Sequence, residues 1–481
     1  MRNDECKTLN DNRIMKKIFI IGIMCVMGAM GAKAQFDETN NLFYHLVRTP
    51  QSNYLNPAFY PIKTTFYINL PGTELQFGSP LAMTDVIHYD KSSQTTVIDL
   101  DNILSCLSKE NKFRLGANVN VFGFGFKVKN MFFTFSSRLT NTVNMGLPVS
   151  AIDALRVGNM NDDGTVRPVV ELMSGDVVNA TSYLETALGA AYSFDDLHLT
   201  VGLRAKLLYG VLNIRTDNTK LEFVTDPSMD SVTARMYYEV QSAACVPYDT
   251  ATGFDINVGD LFNLGKANTG LAFDLGAKYD WGPFTFSLAI NDLSAGIHWK
   301  NNVITWRPQG GQGVIEFTGM DVSSILDHGE MSTDSLSAYI EERLGNMTPT
   351  MVDSGDYWFA VPTKINLGAS YSFAKMFRAG LLFHGQFDRG LLCKGNDGVE
   401  NTFRFNTTLS CSVNLANWVE AVVGSSIVYD GESLDLFNPG FGLILTPGTF
   451  FQLYFMTDYV SSFYLTDSKA FNIKVGLGLL F

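Results

Sequence analysis

Chemistry in this chain has few places to start. The six histidines, His45, His88, His198, His298, His328 and His384, show neither a His-x-x-x-His nor a His-Glu-x-x-His spacing. Without that spacing, no helix can offer two imidazoles on one face to a metal. A nucleophile would need a base and an orienting group beside it. No Gly-x-Ser-x-Gly, phosphate loop or dinucleotide fingerprint stands in a suitable context. Asn159, Asn161, Asp163 and Gly164 begin like a calcium loop, but the twelfth position is Val170 and Glu171 comes one residue late. A solvated turn is the plainer reading. Of six cysteines, four lie beyond the first 34 residues, and Cys106, Cys245, Cys393 and Cys411 are widely scattered without a Cys-x-x-Cys pair. They read as free buried thiols, so neither a zinc nor a redox site is expected. The expectation is a protein with no catalytic residues, no cofactor and no metal.

The remaining polar candidates are positioned by strands. His198 to Asn213 sets Leu199, Val201, Leu203, Ala205, Leu207, Tyr209 and Val211 against Thr200, Gly202, Arg204, Lys206 and Gly210. A period of two gives one apolar face and one wet face. In the same phase, Arg204, Lys206, Asp274, Lys278, Lys364, Arg378, Arg404, Glu420 and Lys474 fall on wet faces, and His384 joins Arg378 and Asp388. Both signs are mixed, so a lumen lining is expected without a single-sign ion filter. Phe122, Gly123, Phe124, Gly125 and Phe126 give one aromatic face and one bare face. A bend that interrupts pairing at the glycines, opening the wall sideways for an apolar ligand, is the expectation to test there.

Strands pair across short turns at 127–130, 195–197, 280–283, 374–376, 416–417 and 447–448, while the connections between those pairs are long. That asymmetry is the layout of a membrane-spanning antiparallel barrel. Fourteen strands are expected, or sixteen if 219–241 also spans; its short, partly polar run favours an extension outside the membrane. The first strand reads from about Lys63 to Leu70. Short helices are expected in the long connections at Asp101-Asn102, after Pro148 and after Thr333-Asp334, with 294–362 as the longest insertion. The last stretch, Phe471 to Phe481, alternates to an aromatic end, about the length of one tilted crossing.

At the other end, Met15-Lys16-Lys17, an apolar run from Ile18 to Met30 and Ala32-Lys33-Ala34 make a secretory signal, with residues 1–34 removed and Met15 the expected start. Residues 35–62, with Asn56-Pro57-Ala58 and Pro61, are too broken by proline to form a strand and read as a plug segment ahead of a barrel over 63–481. The 36 Phe, 19 Tyr and 42 Gly suit interface girdles and crowded walls. A net charge of -13 argues against nucleic acid.

Several stretches carry a resemblance. Gly202 to Gly210, Asn291-Asp292-Leu293, Ile297 to Asn302, Pro362 to Ala369 and Phe451 to Tyr454 look like an uncharacterised family of Bacteroidota outer-membrane β-barrels, over essentially the whole mature chain. Asn56-Pro57-Ala58 resembles the plug region of the long-chain fatty-acid transporters, and Phe481 resembles the C-terminal signal read by the barrel assembly machinery. The resemblance implies a bacterial outer-membrane location, contact with lipid and no named substrate; a second distant likeness is to barrel accessory proteins of the Bacteroidota secretion apparatus. Passive transport of a small apolar or amphipathic ligand is the expected function. The alternative is a surface scaffold for a partner protein.

Overall fold

The computed structural model of the protein describes residues 41–481, except 47, 62–63, 91–93, 108–110, 159–164, 176, 227–231, 246–247, 250–252, 255–266, 309–312, 318–325, 328–329, 332–348, 354, 374–375, 394–401, 430–433 and 461–467. The signal, the third expected helix and the calcium-like loop lie outside the described residues. Fourteen antiparallel strands close on themselves. They are β1 (Phe66–Gly78), β2 (Lys112–Val128), β3 (Met131–Gly146), β4 (Val178–Phe194), β5 (Leu199–Thr225), β6 (Asn268–Trp281) and β7 (Phe284–Trp299). After the long insertion come β8 (Thr363–Phe373), β9 (Phe377–Phe387), β10 (Phe403–Ala416), β11 (Val419–Tyr429), β12 (Leu434–Leu445), β13 (Phe451–Thr457) and β14 (Ala470–Leu480). Each strand pairs with its successor, β5 with β6 and β7 with β8 included, and β14 pairs with β1 to close the circuit. Closure leaves no strand edge to hydrocarbon, which is why a sheet can span a membrane at all.

Alternation decides what faces lipid. Leu203, Leu275 and Leu367 are 49%, 45% and 47% exposed, whereas their neighbours Arg204, Asp274 and Asn366 are 1%, 0% and 1% exposed. The outer surface is apolar and the lumen polar, so this is a bacterial outer-membrane barrel with the short turns at its periplasmic end. A Leu203→Lys chain should lose roughly 2 to 4 kcal/mol of stability if the site is near mid-membrane. Denaturant unfolding in lipid vesicles reads it, with Arg204 left untouched.

The hairpin around 219–241 does not span. β5 runs on to Thr225 and pairs with Val232–Ala244, which in turn pairs with Val303–Pro308 and Gly313–Phe317. These form a sheet continuing beyond the circuit, so fourteen is the count. Two of the expected helices are present: Leu100–Cys106, whose first turn is capped by Asp99 Oδ1 accepting from Asn102 N at 2.9 Å, and Val149–Val157 after Pro148.

Two expectations need correcting. β1 does not stop at Leu70: it passes Pro71 by a bulge, where its register against β14 shifts between Asn69 and Gly72, and continues to Gly78. A bulge is where a strand tolerates a residue with no N–H. Nor do the Phe-Gly repeats interrupt the ladder. Gly123 pairs with Asn69 and Ser136, and Gly125 with Tyr67 and Thr134, so both glycines are bonded on both sides. The irregularity falls one residue earlier, between Asn120 and Phe122. Phe122, Phe124 and Phe126 follow one another along the outer face, 6.0 and 6.4 Å apart, the first pair tilted and the second stacked. On the inner face, a Cβ at Gly125 would strike the rings of Tyr67 and Phe132. The repeat is outer aromatic packing opposite room for inner rings.

Candidate functional site

Residues 41–46 and 48–61 lie inside the lumen, held by short-range turns and by hydrogen bonds to the wall. Two 3-10 turns, Asn41–Phe43 and Pro50–Tyr54, give the segment its shape. Asn56 is the central fixing point. Its Oδ1 accepts from Ala58 N at 2.9 Å, which makes the chain turn at Pro57, and its Nδ2 donates at 3.3 Å to the carbonyls of Ala277 on β6 and Leu288 on β7. A short amide side chain that bonds its own backbone and a wall carbonyl at once is what a turn pressed against a strand requires. Further along, Asn366 donates to Leu55 O at 3.0 Å and Asn291 to Tyr54 O at 3.4 Å. Tyr60 stacks on Phe132 at 4.8 Å.

The wall makes room with glycines. A Cβ on Gly202 would strike the Pro57 carbonyl, and one on Gly276 the Asn56 side chain. Gly368 faces the Tyr44 ring, Gly380 faces the His45 ring, and Gly424 and Gly440 face Leu42. All six occupy inward positions, so the plug meets bare backbone at these points, while Leu42, Phe43 and Leu46 pack against Val422, Ile444, Tyr454 and Met456.

Above Asn56 lies an ionic layer. Arg204 and Lys206 on β5 share Asp274 on β6 at 3.4 and 3.0 Å, and reach Glu185 on β4 at 3.4 and 3.5 Å. Asp292 on β7 completes it, 2.6 Å from Lys206 and 3.8 Å from Lys364. Three cations therefore meet three carboxylates. Asp292 arrives by an irregular route: β7 slips register against β6 between Phe273 and Leu275, and Asp292 takes the left-handed conformation at φ 57°. Its N–H then donates to Asp274 Oδ1 at 2.8 Å. Simple alternation would put Asp292 on the lipid side with Leu288 and Ile290, so its inward turn is not visible in the alternating pattern of the sequence. Arg204 also joins this layer to the plug, donating to Asn53 O at 3.4 Å with its guanidinium 5.3 Å from the Tyr54 ring centre.

The other expected lining residues do not gather at this point. His384 Nδ1 is 2.6 Å from Asn366 Oδ1, farther round the wall. Arg404 pairs with Asp388 near the outer end, its Nε donating at 3.1 Å. Lys278 lies 2.9 Å from Asp280, and Arg378 donates to Ser370 Oγ at 3.4 Å, both near the periplasmic mouth. A second buried network went unread in the sequence: Glu74 on β1 faces Lys474 on β14, takes Arg138 at 2.8 Å, and Lys474 also contacts Asp458, whose Oδ1 accepts from Leu42 N at 3.4 Å. That network ties the closing strands to the start of the plug.

Over the ionic layer, Leu208, Ala272, Ile297, Trp299, Val303 and Val361 pack into an apolar cluster. Two described cavities touch the plug, of about 80 and 20 Å³.

His45 gives the plug a pH dependence. Its Nε2 lies 3.2 Å from Leu381 O, and burial lowers its pKa to about 4, with Arg378 lowering it further and the Leu381 bond opposing. An unfolded or undocked His titrates near 6.5. The undocked form therefore binds more protons between about 6.5 and 4, so docking is fully stabilised above that window and weakens as pH falls through it. Hydrogen exchange at residues 41–61 should quicken over that range, with the barrel strands unchanged.

The fold and its contents define a plugged outer-membrane β-barrel. Residues 57–458 match a family of unknown function (DUF5723), and the chain belongs to that family. No curated protein matches it. Among solved structures it is similar to the Pseudomonas putida toluene transporter TodX, at 10% identity and TM-score 0.44, covering 94% of this chain and 97% of that one. A Pseudomonas aeruginosa FadL homologue gives 9%, 0.42, and 93% and 96% coverage. The translocator domain of the autotransporter NalP from Neisseria meningitidis gives 8%, 0.31, and 87% and 89%. Likenesses of this degree bear on neither substrate nor mechanism.

Proposed function

We propose that this protein is a passive outer-membrane channel for small amphipathic molecules, closed at rest by residues 41–61 and opened when that segment leaves the wall. The observation that carries the reading is the plug's contact surface. It lies on six inward glycines and is fixed by single hydrogen bonds such as those of Asn56. At those points no wall side chain interlocks with it, and withdrawal has to expose chiefly the apolar cluster that Leu42, Phe43 and Leu46 make with Val422, Ile444, Tyr454 and Met456. Beyond the plug, a solute meets the ionic layer around Lys206 and then the apolar cluster around Trp299. Successive polar and apolar surfaces suit molecules that carry both characters.

The test is flux into lipid vesicles. A chain lacking residues 41–61 should pass a small fluorescent amphiphile much faster than the parent, with both folded as judged by circular dichroism. Equal flux from two folded chains would defeat the reading.

A second reading, a scaffold for a surface partner, is favoured by the sheet that β5 and Val232–Ala244 build beyond the circuit. Shortening that sheet should leave flux intact on the first reading. Loss of partner capture without change in flux would favour the second.

A further inference from the structure

We propose that the pocket between the plug and the wall at the periplasmic mouth binds a small oxyanion, carboxylate or phosphate, on Arg378. The cavity is about 80 Å³ and is bounded by Tyr44, Ser52 and Phe59 from the plug and by Lys278, Ser370 and Arg378 from the wall, with the Asp280 carboxylate also on its lining. One water site needs about 10 to 15 Å³ of such space, so the pocket takes an anion with a little water and not a hydrocarbon chain.

The charge inventory points to the sign. Lys278 is already committed to Asp280 at 2.9 Å, and Thr285 donates to the same carboxylate at 2.8 Å. His45, directly behind, is neutral and has its Nε2 on the Leu381 carbonyl. Arg378 is different. Among the described residues it makes no ion pair within 4.0 Å; the carboxylates of Glu420 and Asp280 act on it only from farther off. Among the described residues its one hydrogen bond is to Ser370 Oγ at 3.4 Å. A guanidinium carries five N–H donors in a planar fork, and a half-buried fork with most of them unspent is a receptor for a planar or tetrahedral oxyanion. Ser52 Oγ, which donates to Thr49 O, lies on the opposite side. An anion seated there touches plug and wall together, so it holds the plug in place.

This inference goes beyond the channel reading and stands whether or not the barrel conducts solutes. Its test uses the full chain with Cys106, Cys245, Cys393 and Cys411 replaced by serine and Ser52→Cys as the reporter. The rate at which a thiol reagent reaches that cysteine is measured in acetate, in phosphate and in chloride at matched ionic strength. Acetate or phosphate should slow labelling several-fold relative to chloride; slowing by acetate alone assigns a carboxylate, and by phosphate alone a phosphate. Arg378→Gln should label at one rate in all three salts, while Arg404→Gln should behave as the parent. Arg378→Lys, which keeps the charge, should retain part of the slowing and guards against a folding defect in the glutamine variant. Equal rates in all three salts for the parent, or undiminished slowing in Arg378→Gln, would overturn the site.

Discussion

An Asp274→Ala chain is expected to lose about 3 to 5 kcal/mol of stability, the cost of taking one partner out of a buried ionic group and stranding the other. Asp274 is fully buried and is shared by Arg204 and Lys206 at 3.4 and 3.0 Å. Its Oδ1 also fixes the bulge by accepting from Asp292 N at 2.8 Å. Losing the carboxylate therefore removes charge compensation and the anchor that turns Asp292 into the lumen. Lys206 would keep Glu185 and Asp292, but the layer would carry one excess positive charge in a region that water reaches poorly. Asp274→Asn should fall between parent and alanine, because an amide oxygen can still accept from Asp292. Equilibrium unfolding in urea with lipid vesicles measures all three, and an alanine variant within 0.5 kcal/mol of the parent, roughly the scatter of ordinary surface substitutions, would mean that the layer is hydrated and weakly coupled.

Gly276→Val should release the plug while leaving the barrel closed. A Cβ there coincides with the Asn56 side chain and lies 2.8 Å from Pro57 Cδ, so a branched side chain leaves Asn56 no place to reach Ala277 and Leu288. The strand itself loses nothing, since Gly276 pairs with Ala289 and Gly202 in regular register and β-branched residues suit strands. The expected result is proteolysis within 41–61 at least ten-fold faster, as a loss of more than about 1.4 kcal/mol of docking would give, with the folded barrel's circular dichroism unchanged. Gly282→Val, placed in an open turn, is a poor control because its φ is 57°. Gly355, with open space around it, is the better one.

What was legible in the sequence follows from what alternation can and cannot carry. A period of two placed Leu203 outside and Arg204 inside without any knowledge of partners, because one lipid face and one wet face leave a strand no second choice. Parity left fourteen and sixteen strands open, and length and polarity at 219–241 tipped the reading correctly. Bulges defeated it. β1, expected to end at Leu70, only shifts register there and runs on, and Asn291-Asp292 turned an outward-parity carboxylate inward. A charged residue at a lipid-side position was the available signal for the second. The partners of Glu74, Arg138, Lys474 and Asp458 come from β1, β3, β14 and the end of β13, separations that no local pattern reports. Glycines at inward positions fit a crowded wall at large; that six of them seat the plug depends on contacts across hundreds of residues that no local pattern carries.

The claim that residues 41–61 are a removable closure is tested most directly by tethering them. Asn56→Cys with Gly276→Cys puts two thiols where the wild-type side chain and the missing Cβ meet, within the reach of a disulfide. Amphiphile flux through vesicles carrying this chain, free of its other cysteines, is measured oxidised and then after reduction. The account predicts flux near the lipid background when oxidised and a many-fold rise on reduction. Flux that is the same in both states, with the disulfide confirmed by mass spectrometry, would contradict it.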